Sequence, residues 1–399
     1  MNFGFLPRPH PAAVRFIPFY IGMNFIGGVH LPFFPAWLES RGLAPESIGL
    51  LMMVIGLVRV VTGPALGFLA DARDARRTAV IVLSGGVVLS YAGYAVLGDI
   101  AFIVLFSITA SICFSAVGPL VEGVTLKTAI AAQFDYGRVR SFGSAAFIVM
   151  NFASGVYLAS HGIDYFLVIL IGSSVFAFAA AWLLPHEERA ERRPHRHSVW
   201  KETRELIRQP AFLIFLLAAG LAQSCHAFYY GFGTLNWKAQ GYSADLIGVL
   251  WGLGVLAEIV LFSFSNRVVA WIGPVRLLVL GTASGLLRWT LLALAPPLWL
   301  LLPLQCLHAG TFGAAHLGAM HFVARAVPGH LVGTAQSIYA AVTIGVFMSV
   351  GQYASGHLFA NFGANGYLLM TGISACAMTA SILLGRLWHG GILKTGTPA

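Results

Sequence analysis

The stretch Arg41–Leu51, RGLAPESIGLL, returns 199 residues later as Gln240–Leu250, QGYSADLIGVL. Gly42 falls on Gly241, Glu46 on Asp245, Ile48 on Ile247 and Gly49 on Gly248. Each copy joins two long apolar runs, so the shift lays the first two runs of one half of the chain on the first two of the other. Two related membrane-embedded halves with a site between them is the plan of a secondary transporter, in which one half rocks against the other. The same shift sets Arg59 opposite Glu258, an intramembrane base and acid at equivalent points of the two halves.

Outward from the repeat, the composition fits. The chain has 399 residues, 58% of them hydrophobic and 10% charged, and a mean hydropathy of +0.79, more than a soluble domain needs for its core. Windows of about 20 apolar residues predict twelve transmembrane helices and an all-α membrane protein. Six fall at 12–38, 44–70, 78–98, 101–126, 139–161 and 164–184, and six at 211–237, 244–270, 276–296, 297–322, 331–360 and 364–386. The first run is too long for a signal peptide and has no small-residue cleavage site before Trp37, so it is expected to be retained. The hydrophilic stretch from His186 to Pro210 divides the spans six and six. The expected organisation is a bundle over 1–185, a solvated linker over 186–210, helical near Trp200 to Arg208, and a second bundle over 211–399.

The net charge of +9 is a topology signal rather than a nucleic-acid signal. Of 24 Lys and Arg, only Arg41 and Lys238 fall in loops after odd-numbered spans. That bias predicts cytoplasmic termini in a bacterial-type inner membrane. The four cysteines, Cys113, Cys225, Cys306 and Cys376, lie in apolar runs with no paired spacing, which suggests neither a disulfide framework nor a zinc site. The 45 glycines suit close helix contacts in lipid.

Function is concentrated in the polar interruptions. Arg59, Glu122, Glu258 and Arg288 each break an apolar run. At a bilayer midplane each costs roughly 2.5–3.5 kcal/mol by insertion scales, so such residues face a partner or a wet cavity and mark a site. No metal-ligand cluster, nucleophile–base pair or phosphate-cradling glycine loop argues for an enzyme. The charges are single and asymmetric rather than arranged in a ring, which argues against a channel.

Between the second and third spans the chain reads GFLADARDARR, Gly67 to Arg77. This resembles the loop signature of the major facilitator superfamily: Gly67, Asp71, Arg73, Arg76 and Arg77 fit it, while Ala72 and Asp74 depart from it. The resemblance implies a conformational switch carried by Gly67, Asp71, Arg73 and Arg77, with Asp71 pairing a base or a helix N-terminus in one state and releasing it in another. The plain alternative is a positive-inside turn.

From Gly118 to Gly143 the chain reads GPLVEGVTLKTAIAAQFDYGRVRSFG. It resembles the fourth and fifth helices of the oligosaccharide:proton symporters and of the related 3-phenylpropionate permeases. The resemblance implies that Glu122 and Arg140 form a substrate-binding pair, whose carboxylate and guanidinium offer directed hydrogen bonds to a polar solute. Snorkelling of Arg140 to the interface is the competing reading. In the second half, Glu258 (VLAEIV), Arg288 (GLLRWT) and His308 (LQCLHAGTFG) match the positions that couple substrate binding to proton movement in that family. A carboxylate near a histidine and an arginine titrates as a coupled group. His316, His226 and His30 are weaker candidates, with His30 kept as a substrate contact.

Departures from the sugar-transporting pattern point to the 3-phenylpropionate branch. Thr311 stands where those symporters carry a protonatable acid, Phe147 stands where they carry a sugar-stacking tryptophan, and Arg59 has no charged counterpart. An extra guanidinium suits an anion. Phe147, Phe228, Tyr229, Tyr230 and Trp237 could supply apolar walls. The resemblance therefore implies a proton-coupled symporter working by alternating access, monomeric and without a cofactor. The favoured substrate is an aromatic or other monocarboxylate such as 3-phenylpropionate. Arg59, Arg140 and Glu122 would hold the solute; Glu258, Arg288 and His308 would handle the proton. An oligosaccharide or nucleoside symporter of the same fold, or an effluxer, remains the alternative.

Overall fold

The computed structural model describes residues 10–185 and 198–393, with side chains in the second stretch from Lys201 on. Every regular element among the described residues is helical. Eleven apolar stretches are long enough to cross a bilayer, and the last, Gly329–Leu387, holds two helices parted by a turn at Gly363–Gly366. Ten single stretches and one double make the twelve expected spans.

The first six are Ile17–Ser40, Pro45–Ala72, Arg76–Val96, Ile100–Ala132, Tyr136–His161 and Phe166–Ala181. The second six begin with Pro210–Ala239, interrupted at Cys225 and His226, and continue with Ala244–Ser263, Pro274–Ala293, Leu298–Ala326, 332–362 and Tyr367–Leu387. Two span ends differ from the hydropathy windows by six residues or more. The fourth span runs six residues past its expected end at 126, because Lys127 ends an apolar window without ending a helix; the stop is Gln133, in the left-handed region at φ 53, whose N–H bonds Ala129 O. The eighth stops at Ser263 rather than 270, and a separate short helix, Ser265–Ile272, follows. Of the linker, 186–197 lies outside the described residues, and Ser198–Arg208 is a helix.

The internal repeat extends to backbone hydrogen bonds. At the end of the first span Arg41 N bonds Trp37 O and Leu38 O, Gly42 N bonds Glu39 O, and Leu43 N bonds Leu38 O. At the end of the seventh, Gln240 N bonds Asn236 O and Trp237 O, Gly241 N bonds Lys238 O, and Tyr242 N bonds Trp237 O. The same left-handed turn thus closes both helices at the 199-residue shift. Gly42 and Gly241 take φ 88 and 85, a conformation that satisfies the last helical carbonyls and favours glycine.

By compactness the chain forms two units. One comprises the chain up to Phe34 and from Val61 to the linker; the other comprises Pro35–Val60 and everything from the linker on. The first unit packs around Phe16, Phe19, Val80, Val117, Leu120 and Val139. The second packs around Phe212, Phe215, Phe322, Tyr339 and Trp388, with Phe215 and Phe322 stacked at 4.4 Å. Leu206 of the linker helix is buried in that same core, and Glu202 pairs with His330, which docks the linker helix on this unit.

The segment 35–60 also accounts for the two basic residues that defy the charge bias. Lys238 Nζ lies 2.7 Å from Glu39 Oε2, and Arg41 sits over the Trp37 ring at 5.4 Å. Glu39 and Lys238 are themselves 199 residues apart, equivalent positions of the repeat carrying opposite charges.

Candidate functional site

Three helices of the second unit gather around the charges that hydropathy flagged. Arg288, on the ninth span, is fully buried. A buried guanidinium is costly unless its N–H groups are satisfied. Its Nη1 donates to His308 Nδ1 at 3.1 Å and to Thr311 Oγ1 at 3.2 Å, and its Nη2 donates to Gln305 Oε1 at 3.0 Å. The ring faces of Tyr229 and Trp289 lie 4.5 and 4.8 Å from its central carbon, and each such desolvated contact contributes about 2 kcal/mol. His308 Nε2 then reaches to 3.6 Å from Glu258 Oε2 on the eighth span.

Local backbone features place these groups. Gln305, His308 and Thr311 recur every third residue on the tenth span and so share one helix face. A wide π-helical turn, Ala309–Ala314, begins directly after His308 and resets the register of the helix beyond it. Gly254 lets the eighth helix approach: a Cβ there would sit 3.3 Å from His308 Cβ. A Cβ on Gly313 would sit 2.9 Å from Leu261 and 3.6 Å from Glu258 Cγ, so Glu258 packs against a bare stretch of the tenth helix.

The seventh span completes the cluster through its interruption. The helix ends at Ser224 and restarts at Ala227, and both the backbone N–H and Nδ1 of the fully buried His226 lie 3.1 Å from Gln223 O. His226 Nε2 is 3.0 Å from Thr311 Oγ1, and Tyr229 OH donates to Gln305 Oε1 at 3.2 Å. Glu258, Arg288 and His308 are thus brought together. His226 and Thr311, which sequence reasoning placed at the margin, are inside the same network, as are Gln305 and Tyr229. The three-residue spacing of Gln305, His308 and Thr311 was the available signal; the helix break at His226 left none. His316 stacks on Phe312 at 5.8 Å.

In the first unit Glu122 and Arg140 form a direct ion pair, with side chains 45% and 57% exposed. Asp135 caps the fifth helix by accepting from Arg138 N at 3.2 Å, which starts the helix at Tyr136 and puts Arg140 in its second turn. A pair so exposed is worth at most about 1 kcal/mol, so either partner can turn to another ligand at little cost. Phe147 is half-buried with its ring 3.5 Å from where a Cβ on Gly27 would lie, and His30 stacks on Phe34 at 4.3 Å. Arg59 is exposed and belongs to the second unit, so it does not share a unit with Glu122 and Arg140.

In the loop after the second span Asp71 pairs with Arg76, and Arg77 donates to Leu184 O at 2.7 Å and to Trp182 O at 2.8 Å, closing carbonyls at the end of the sixth span. Arg73 is exposed, and a Cβ on Gly67 would meet nothing within 4 Å. No group of three metal-ligating side chains occurs among the described residues.

Twelve apolar helices in two sets of six, joined by a polar linker and carrying buried ionic groups, define a multi-pass membrane transporter. The chain belongs to the major facilitator superfamily: the family model described as the MFS_1 like family matches residues 19–369. A probable 3-phenylpropionic acid transporter of Escherichia coli K12 is 30% identical over 364 residues, covering 90% of this chain and 94% of the relative. A maltose permease of Geobacillus stearothermophilus is 25% identical over 82% of this chain and 83% of its own length. Among solved structures, a point mutant of the nucleoside transporter NupG superposes with a TM-score of 0.83 at 14% identity, covering 95% of this chain and all of that one. Such structural likeness shows the fold. Family and relatives are transporters, not enzymes.

Proposed function

We propose that this protein is a proton-coupled symporter that imports an aromatic or other small monocarboxylate such as 3-phenylpropionate by alternating access. Residues 1–185 and 211–399 are its two moving halves, and both termini are cytoplasmic. The observation that carries this reading is the buried Arg288–His308–Glu258 cluster, an ionisable carboxylate held beside a fixed cation inside an apolar bundle, where such groups mark proton and substrate paths. The relationship to a probable 3-phenylpropionic acid transporter supports the substrate class. Arg59 and Arg140 attract the carboxylate, Glu122 orients it, and Phe147 and His30 line its apolar side; Asp71, Arg73, Arg77 and Gly67 take part in the conformational change.

A monocarboxylate entering with one proton is electroneutral, so the pH gradient drives it; any further proton adds about 2.3 kcal/mol per 100 mV of membrane potential. Membrane vesicles with an imposed inward proton gradient should accumulate labelled 3-phenylpropionate, and a protonophore should abolish the accumulation. Accumulation of maltose or uridine but not of the aromatic acid under the same gradient would overturn the substrate class. Arg59→Ala should weaken carboxylate binding far more than binding of the neutral amide analogue; equal losses would assign Arg59 a folding role.

A further inference from the structure

The hydrogen bonds around Arg288 have only one consistent direction. Arg288 is a pure donor, so His308 Nδ1 must accept from it through its lone pair. The ring proton of a neutral His308 therefore sits on Nε2, the nitrogen that faces Glu258 Oε2. At the other end Gln223 O is a pure acceptor, so His226 Nδ1 carries a proton. The Thr311 oxygen accepts from Arg288, and its hydrogen finds His226 Nε2 at 3.0 Å against His308 O at 3.5 Å, so Nε2 accepts from the Thr311 hydroxyl. Tyr229 and Arg288 both donate to Gln305 Oε1.

The two histidines are thus fixed in opposite tautomers by groups that have no choice of role. A proton added to His308 Nδ1 would point at the Arg288 Nη1 hydrogens. A proton added to His226 Nε2 would force the Thr311 hydroxyl hydrogen away toward His308 O, a poor acceptor at 3.5 Å. The other titratable groups facing this cluster include Tyr229 and Tyr230 of the seventh helix, the latter 6.3 Å from His308 between ring centres, Cys225, whose sulfur lies 3.7 Å from His226 Nδ1, and Tyr367 of the twelfth, stacked on Trp289 at 5.9 Å. Gain or loss of a proton at Glu258 reverses none of the bonds described around Arg288.

We propose that Glu258 takes up the transported proton while His308 stays neutral throughout the cycle, a one-way N–H donor aimed at that carboxylate. His308, Thr311 and His226 are then positioning residues, and Arg288 fixes their orientation. Glu258 gains the proton as its carboxyl O–H and returns it as the carboxylate; the Nε2–H of His308 is never transferred. This rests on the symport reading and refines which atoms carry it.

Two measurements test the assignment. In vesicles, Glu258→Gln should lose accumulation of labelled 3-phenylpropionate while keeping exchange across the membrane. His308→Gln, whose amide N–H reaches where Nε2–H stood, should slow uptake yet keep gradient-driven accumulation and the wild-type proton-to-substrate ratio. Loss of accumulation with retained exchange in His308→Gln, or continued gradient-driven accumulation by Glu258→Gln, would overturn the proposal and leave symport intact, whereas failure of the wild-type protein to accumulate the acid under the gradient would overturn the symport reading itself. Independently of any variant's folding, 15N NMR of histidine-labelled wild-type protein, with signals assigned by difference, should show His308 protonated at Nε2 only and His226 at Nδ1 only. Persistence of those signals from pH 5 to pH 8, the range in which an ordinary histidine titrates, is the expected result; an imidazolium signal from His308 in that range would overturn it.

Discussion

Gly49 of the second span and Gly356 of the eleventh bring two helix backbones into direct contact, and the contact gives a prediction whose size follows from distances. A Cβ on Gly356 would lie 2.6 Å from Pro45 O and 3.1 Å from the Cα atoms of Glu46 and Gly49. A Cβ on Gly49 would lie 2.8 Å from Gln352 O and 2.9 Å from Gly356 Cα. Ordinary contacts begin at 3.4 Å, so Gly356→Ala must part the two helices by the difference, 3.4 − 2.6 = 0.8 Å. The obstacles are backbone atoms, which cannot rotate aside as a side chain would. Overpacking of this kind costs about 1–3 kcal/mol, or about 5- to 150-fold in the population of the close-packed arrangement.

The assay is thermal unfolding of purified protein, with Gly372→Ala as control, because a Cβ at Gly372 in the twelfth span meets no atom within 4 Å. The control should be neutral or gain up to about 1 kcal/mol from the better helix former. Gly356→Ala should unfold about 2–10 °C lower, and adding Gly49→Ala should cost less than the sum of the two, since both alter one contact. Unfolding of Gly356→Ala within about 1 °C of the control would refute the close packing of these two helices.

Other outcomes follow from individual contacts. Reversing Glu39 to Lys or Lys238 to Glu alone should destabilise, and the double reversal should recover about 0.2–1 kcal/mol that fades with salt, since both side chains are more than a third exposed. Gln305→Leu leaves Arg288 Nη2 and Tyr229 OH without their acceptor inside the bundle and should cost about 1–3 kcal/mol for each unpaired group, read by chemical or thermal unfolding. Arg77→Ala removes two charge-assisted bonds to Trp182 O and Leu184 O and should lower the unfolding temperature more than Arg73→Ala does, because Arg73 is exposed.

Much of the molecule is legible in the sequence alone. Hydropathy gives twelve spans because a bilayer leaves a backbone few alternatives to the helix, and each helix must be apolar for about 20 residues. The repeat was legible because Gly42 and Gly241 answer one steric demand, a left-handed turn after a helix, that few residues can meet. Glu258, Arg288 and His308 stood out because ionic groups are rare and expensive in such runs.

What the sequence could not supply is which polar groups touch. In the sequence His226 is a weak candidate and Thr311 marks only the place of a missing acid, 85 positions apart, and the folded second unit alone shows that one hydroxyl bridges His226 to Arg288. The fourth and eighth helices end where backbone bonds are closed rather than where hydropathy falls, which a composition window does not register. By itself the sequence determined that this chain crosses a membrane twelve times in two related halves and carries charge inside, since those properties belong to each segment separately. Tertiary structure alone decided the direction of every hydrogen bond around Arg288, because the role of an imidazole nitrogen depends on the neighbour it meets.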